Sequence, residues 1–110
     1  MNPCDDAVQV TLVTAPDADT ADRIARALVD ERLAACVNLV PGVRSVYRWE
    51  GAVEEAEEVL LVVKSRRDRA AALAARVKAL HPYEVPEVLS LSAAGGSEAY
   101  LDWVQRESAP

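Results

Sequence analysis

The chain is poor in the residues that mark several common protein classes. Its 110 residues include two cysteines, one histidine, four glycines and no phenylalanine. Two cysteines do not make a disulfide framework for a chain of this size, and no glycine-rich phosphate loop is present. No apolar run approaches the ~20 residues of a membrane-spanning helix. These absences exclude a disulfide scaffold, a P-loop protein and a helical membrane protein.

Positive charge is also scarce. Twelve Lys and Arg residues against eighteen Asp and Glu residues give a net charge of −6, which argues against a nucleic acid or an anionic membrane as the main partner. The N-terminus is acidic where a signal peptide would be basic, so we expect a cytoplasmic protein. The chain has no HExxH, GxSxG or CxxC motif, and we expect no enzymatic activity.

Hydrophobic periodicity predicts the element order βαββαβ followed by a C-terminal helix. The order is that of the α+β ferredoxin-like fold, in which four antiparallel strands carry two helices on one face. We expect residues 7–107 to form a single domain between flexible tails at 1–6 and 108–110. The predicted strands cover residues 7–13, 35–49, 53–65 and 87–92, and the predicted helices cover 18–33, 66–81 and 98–106.

Small polar residues indicate where the helices begin. Asp17 is placed to cap the first helix, Ser65 the second and Ser97 the last. The second helix should stop at His81, because Pro82 disfavours the helical conformation of the residue before it.

The second and third strands form a long predicted hairpin. Its turn is Glu50–Gly51, with glycine supplying a positive φ, and Pro41–Gly42 predicts a bulge in the first arm. Without a further bulge, Tyr47 should face Glu54. Both arms far exceed the ~5–6 residues of an average strand, so the hairpin should extend beyond the sheet and need a partner.

The third strand suggests that the sheet is buried on both faces. Residues Val59–Val63 are apolar at every position, yet the two helices cover only one face. We therefore expect a homo-oligomer in which the open face packs against another copy; the alternative is that the C-terminal helix covers it. Aromatic residues typical of interfaces lie in the hairpin tip, the loop after His81 and the last helix.

The segment His81–Glu87 is the first candidate for function. It places the only histidine, two prolines, a tyrosine and two carboxylates between a helix and a strand. Such a stiff, polar connector is typical of a functional loop, although it can also be a rigid helix stop.

The acidic arm Glu54–Glu58 is a second candidate. Strand alternation sends Glu54 and Glu58 to one face and Glu55 and Glu57 to the other, so no four-carboxylate cage forms locally. The arm can hold hard cations loosely, or be a solvated strand that resists aggregation.

Five segments together resemble the CutA family, the divalent-cation tolerance proteins. The resemblance runs from about Val8 to Val104. It implies a subunit similar to the PII signalling proteins and a homotrimer in which hairpins pair between subunits and open sheet faces meet inside. The segments are Glu31–Asn38, Tyr47–Gly51, Glu58–Lys64, His81–Glu87 and Tyr100–Trp103.

The family resemblance implies a role in tolerance of copper and other divalent cations, with Cu²⁺ or another divalent cation as a non-obligatory cofactor. Some copper-binding relatives have a cysteine and a second histidine where this chain has Val13 and Leu80. His81 and Glu84 remain as candidate metal ligands, with Glu87 or His81 of other subunits completing a site. His81 can equally be a helix-end residue hydrogen-bonded to the backbone.

Two other functions fit the same residues. One is a PII-like signalling or adaptor trimer that binds an unidentified small ligand or protein in a cleft between subunits. The other is a structural trimer whose motif residues only hold the assembly together. The cleft of the first alternative would be lined by Tyr47, Trp49, Lys64, Tyr83, Glu84, Glu87 and Trp103.

Overall fold

The computed structural model describes residues 6–110. Its four strands form one antiparallel sheet in the order β2-β3-β1-β4, with three α-helices. This confirms the predicted α+β ferredoxin-like fold with an added C-terminal helix. The elements are β1 (Val8–Ala15), α1 (Ala18–Asp30), β2 (Cys36–Trp49), β3 (Ala52–Arg66), α2 (Ala70–Leu80), β4 (Leu89–Ser92) and α3 (Glu98–Glu107). The tail expected at residues 1–6 lies, except for Asp6, outside the described residues.

The main core lies between one face of the sheet and helices α1 and α2. The four predicted core residues of α1, namely Ala21, Ile24, Ala25 and Leu28, are all buried. Side chains of β1 alternate as expected, but the helices cover Val13 and Ala15, whereas Val10 and Leu12 face the other side, where they are half-buried. The strand and second-helix members of the core are Val13, Ala15, Val59, Leu61, Val63, Leu73 and Val77.

The β2–β3 hairpin has the predicted turn, bulge and register. Glu50 and Gly51 both have positive φ, 49° and 82°, which is the type I′ geometry that matches strand twist. Tyr47 pairs with Glu54, and the register shifts between Val40 and Val43, at the predicted bulge. The hairpin elongates the chain, whose extents are 44 × 25 × 23 Å.

Helix α1 ends at Asp30, three residues before the predicted end at Leu33. Arg32 adopts a left-handed φ of 59°, and the N–H groups of Leu33 and Ala34 both donate to the Leu28 carbonyl oxygen. This reversal satisfies the last carbonyls of the helix but stops its propagation. At the other end, Asp17 caps the helix as predicted: its Oδ1 accepts the Thr20 N–H at 2.7 Å, and this bond lowers the pKa of Asp17.

The predicted cap at Ser65 is wrong, because β3 continues through Arg66. Ser65 pairs with Gln9 of β1, and its hydroxyl donates to the Arg66 carbonyl oxygen. A single 3₁₀ turn over residues 67–69 then leads into α2. Ser97 does stand at the N-cap of α3, but its side chain makes no capping hydrogen bond.

Helix α3 covers only one end of the sheet face opposite to α1 and α2. Val104 is fully buried and packs in a small cluster with Val8 and Ala35. Farther along the same face, Leu89 and Leu91 of β4 remain 54 % and 50 % exposed. The alternative to a homo-oligomer, cover by the C-terminal helix, is therefore met only in part, and the name "open face" is kept for this side of the sheet.

The end of α3 is anchored rather than free. The Ser108 hydroxyl, fully buried, donates to the Val104 carbonyl oxygen at 2.6 Å and accepts the Arg66 N–H at 3.0 Å. Arg32 donates to the Arg106 carbonyl oxygen at 2.6 Å. The packed domain therefore extends through Ser108, one residue into the segment 108–110 that was expected to be a tail.

We expect Ser108→Ala to lower the free energy of unfolding by about 1–2 kcal/mol, because it removes two hydrogen bonds of a fully buried hydroxyl. Ser97→Ala at the other end of α3 is the matched control and should change it by less than about 0.5 kcal/mol. Urea unfolding at one fixed protein concentration measures both. Equal effects of the two variants would contradict the anchoring role.

Candidate functional site

A cleft of about 790 Å³ lies between the loop after α2 and the half of the β2–β3 hairpin nearer its turn. Aromatic rings, prolines and four carboxylates surround it. Its lining residues are Thr14, Ser45, Val46, Tyr47, Trp49, Glu54, Glu58, Pro82, Tyr83, Glu84, Val85, Pro86 and Glu87. This space is called the cleft below.

Strand alternation brings one wall of the cleft together. Tyr47 and Trp49 are two residues apart on β2 and therefore point to the same face. Their cross-strand partners are Glu54 and Ala52, so Glu54 shares that face, as does Glu58, four residues further along β3. The same register places Glu54 and Glu58 on one face of β3 and Glu55 and Glu57 on the other, as predicted.

On the other side of the cleft, His81 holds the loop after α2 against β1. Its ring is buried, and Nε2 lies 2.7 Å from the Thr14 carbonyl oxygen, so Nε2 must carry the proton and donate. Nδ1 accepts the Tyr83 N–H at 3.1 Å. The neutral ring thus joins the end of β1 to the start of the loop, and both nitrogens are occupied. This is the backbone-bonded geometry that was the alternative to a metal ligand.

Tyr83 connects the loop to the hairpin. Its hydroxyl donates to Glu58 Oε2 at 3.2 Å, and its ring lies 4.6 Å from that of His81. Desolvation, followed by the negative charge of Glu58, raises the pKa of Tyr83 to about 12. The phenol therefore stays protonated, and remains a donor to Glu58, throughout the neutral range.

Five of the seven predicted cleft residues line the cleft, and two do not. Tyr47, Trp49, Tyr83, Glu84 and Glu87 meet there. Lys64 instead pairs with Val10 and Cys36, and the ring of Trp103 lies 5.7 Å from that of Tyr100 on α3.

Lys64 is far from the acidic end of the cleft within one chain. It lies six positions along β3 from Glu58, or about 20 Å of strand. A cleft that combines all seven residues would need a second subunit, and this stays a prediction.

Glu58 was not predicted as a cleft residue. The sequence placed it only in the acidic arm, although its position on the same strand face as Glu54 was the signal that could have found it. It is also the most buried of the four carboxylates, with 7 % of its surface exposed. Thr14 was missed as well, because only the tertiary structure brings the end of β1 next to the loop.

The metal ligands proposed from the sequence do not converge in one chain. Among residues 6–110, no group of three or more His, Cys, Asp or Glu side chains is placed to hold a metal ion. Glu84 lines the cleft and is exposed, whereas His81 is buried behind it with both nitrogens bonded. A tight mononuclear site does not fit these donors, and ligation by His81 stays an untested prediction.

The family model described as CutA1 divalent ion tolerance protein matches residues 9–107. The chain belongs to the CutA1 family. It is 52 % identical over 100 residues to the divalent-cation tolerance protein CutA of Thermus thermophilus, covering 91 % of this chain and 97 % of that protein. The solved Cut A1 structure from Thermus thermophilus superposes with a TM-score of 0.91 at 51 % identity, covering 93 % of this chain and 99 % of that one.

Family membership does not assign a compartment. The CutA protein of Arabidopsis thaliana, 44 % identical over 90 % of this chain, is named chloroplastic, and the chain spans about half (54 %) of its length. The expected cytoplasmic location is therefore not confirmed. Within residues 6–110, no helix is both long and apolar enough to cross a membrane.

The raised pKa of Tyr83 predicts a loss of stability in alkali. Because the folded pKa, about 12, lies above the ordinary 10.0, the protonated phenol stabilises the fold below pH 10, and this contribution disappears as the pH rises towards 12. We expect the free energy of unfolding to fall more steeply over this range in the wild type than in Tyr83→Phe. Tyr100→Phe, which removes the other phenol with a raised pKa, is the comparison. Parallel curves for wild type and Tyr83→Phe would contradict the raised pKa of Tyr83.

Proposed function

We propose that the protein is a non-enzymatic, homotrimeric divalent-cation tolerance protein that binds divalent cations weakly at the cleft. The observation that carries this proposal is that four carboxylates, Glu54, Glu58, Glu84 and Glu87, line one cavity. The cleft lies in a chain whose family relatives are named for divalent-cation tolerance. Carboxylate oxygens suit hard divalent cations, and a set that does not converge on one point gives weak binding.

In this proposal Glu84 is a direct ligand and His81 acts by positioning. A metal ion at His81 would have to displace either the Thr14 or the Tyr83 hydrogen bond. Glu84 is exposed on the loop that His81 holds, so it can contact a cation without rearrangement. Copper(II) prefers imidazole ligands. In this proposal it would contact carboxylates only, so its affinity would be weak.

We expect calorimetry with Cu²⁺ to detect weak binding that Glu84→Gln reduces about threefold to tenfold, because one charged ligand is lost. Glu57→Gln, on the opposite face of β3, should leave the affinity unchanged. His81→Ala separates the two roles: a loss larger than that of Glu84→Gln in a variant with native circular dichroism would make His81 a ligand. No difference between Glu84→Gln and Glu57→Gln would remove the cleft from copper binding.

The homotrimer is supported by the apolar side chains that one subunit leaves uncovered. On the open face, Leu60 and Val62 of β3 are only half-buried, beside the half-exposed Leu89 and Leu91 of β4. The hairpin adds exposed Val46 and Val53 beyond the sheet. Apolar surface of this kind is typical of a protein interface.

We expect the wild type to sediment as a trimer at micromolar concentration and Leu91→Lys to dissociate it, because a lysine would be buried without a partner at the interface. Ala79→Lys, which adds the same charge at an exposed position of α2, should remain trimeric. Analytical ultracentrifugation distinguishes the two. A wild type that sediments as a folded monomer would refute the assembly.

A PII-like signalling or adaptor role is the second candidate. It is favoured by the openness of the cleft, in which Tyr47, Trp49 and Tyr83 are each 38–41 % exposed. A structural trimer whose motif residues only hold it together should bury these side chains, and in the single subunit they are accessible. Accessible aromatic rings beside carboxylates are typical of a ligand pocket.

A further inference from the structure

Glu58 is a largely buried carboxylate with one oxygen available for a further partner. The residue is 7 % exposed, and its Oε2 accepts one hydrogen bond, from the neutral Tyr83 hydroxyl. Within residues 6–110, no Lys, Arg or His forms an ion pair with it, and Oε1 accepts no hydrogen bond. Oε1 is not among the buried atoms that lack a partner, so it stays accessible, and Glu58 lines the cleft. A cationic donor at Oε1 would form a charge-assisted hydrogen bond, which is stronger than the bond from the neutral phenol.

The rest of the cleft suits an organic cation. The rings of Tyr47, Trp49 and Tyr83 are accessible, and aromatic faces attract ammonium and guanidinium groups. Glu54, Glu84 and Glu87 add negative charge around the same space. The Tyr83 hydroxyl is already committed to Glu58 Oε2, which leaves Oε1 as the acceptor for an incoming N–H donor.

An organic cation does not need the converging ligand set that tight binding of a bare metal ion requires. Calcium takes six to eight oxygen ligands and magnesium near-ideal octahedral geometry, whereas no group of three acidic, His or Cys ligands converges among the described residues. An ammonium or guanidinium group needs only a charged acceptor and an aromatic face, and both are present.

We propose that the cleft binds an organic ammonium or guanidinium group, with Glu58 as its counter-charge. The inference rests on the cleft being the functional site of the proposed function and names the ligand chemistry of that site. The cation has two sources: a free amine, or Lys64 of a second copy. Lys64 has no acidic partner among residues 6–110, and it lies about 20 Å along β3 from Glu58 of its own chain.

Calorimetry with putrescine and with agmatine tests the proposal on the intact assembled protein. If no Lys64 of another copy occupies the cleft, both amines bind the wild type. Glu58→Gln then lowers the affinity for the amines at least tenfold, and Glu57→Gln leaves it unchanged. Glu58→Asp keeps the charge and should retain measurable binding. These variants preserve size or charge, and circular dichroism verifies their fold.

The second source gives a different pattern. If Lys64 of another copy fills the cleft, the amines bind Lys64→Met but not the wild type, and both Lys64→Met and Glu58→Gln dissociate at higher protein concentration than Glu57→Gln. The proposal is overturned if neither amine binds any of these proteins and Glu58→Gln assembles like Glu57→Gln. If this happens while the wild type is trimeric and binds copper, only the present inference is refuted. A wild type that is not trimeric, or that does not bind copper, refutes the proposed function instead.

Discussion

Strand β3 is apolar on both faces, while helices α1 and α2 cover only one of them. The covered face supplies Val59, Leu61 and Val63 to the core, and the open face presents Leu60 and Val62 with only partial cover. Helix α3 buries one end of the open face through Val104 and leaves the part beside β4 exposed. A single chain therefore leaves apolar side chains of the open face in contact with water, and apolar surface of this kind is typical of an interaction site.

The same strand links the fold to the cleft. Strand β3 begins at the hairpin turn and runs into the sheet. Along its open face, Glu54 and Glu58 lie nearer the turn, and the apolar Leu60 and Val62 follow inside the sheet. Tyr83 reaches Glu58 from the loop, and His81 holds that loop to β1 through two backbone hydrogen bonds. The geometry of the cleft thus depends on a buried neutral imidazole, and the most buried of its four carboxylates, Glu58, has no ion pair among residues 6–110.

These contacts alter the interpretation of the family's histidine motif in this chain. His81 is held as the Nε2–H tautomer by a carbonyl acceptor on one side and an N–H donor on the other. Such a ring is well suited to position Tyr83 and Glu84 and poorly suited to ligate a metal. The proposed cation binding is therefore assigned to the carboxylates and aromatic rings of the cleft.

The amino-acid sequence by itself determined the element order, the hairpin register and the core of α1, because each follows from local periodicity and turn chemistry. It misplaced the end of α1 and the start of α2: the left-handed Arg32 and the continued pairing of Ser65 with Gln9 depend on distant strands. Only the tertiary structure decided that Glu58 belongs with Tyr83, that Thr14 accepts from His81, and that Lys64 and Trp103 lie apart from the cleft. Periodicity assigns a side chain to a face, but which loop packs on that face depends on contacts between residues far apart in sequence.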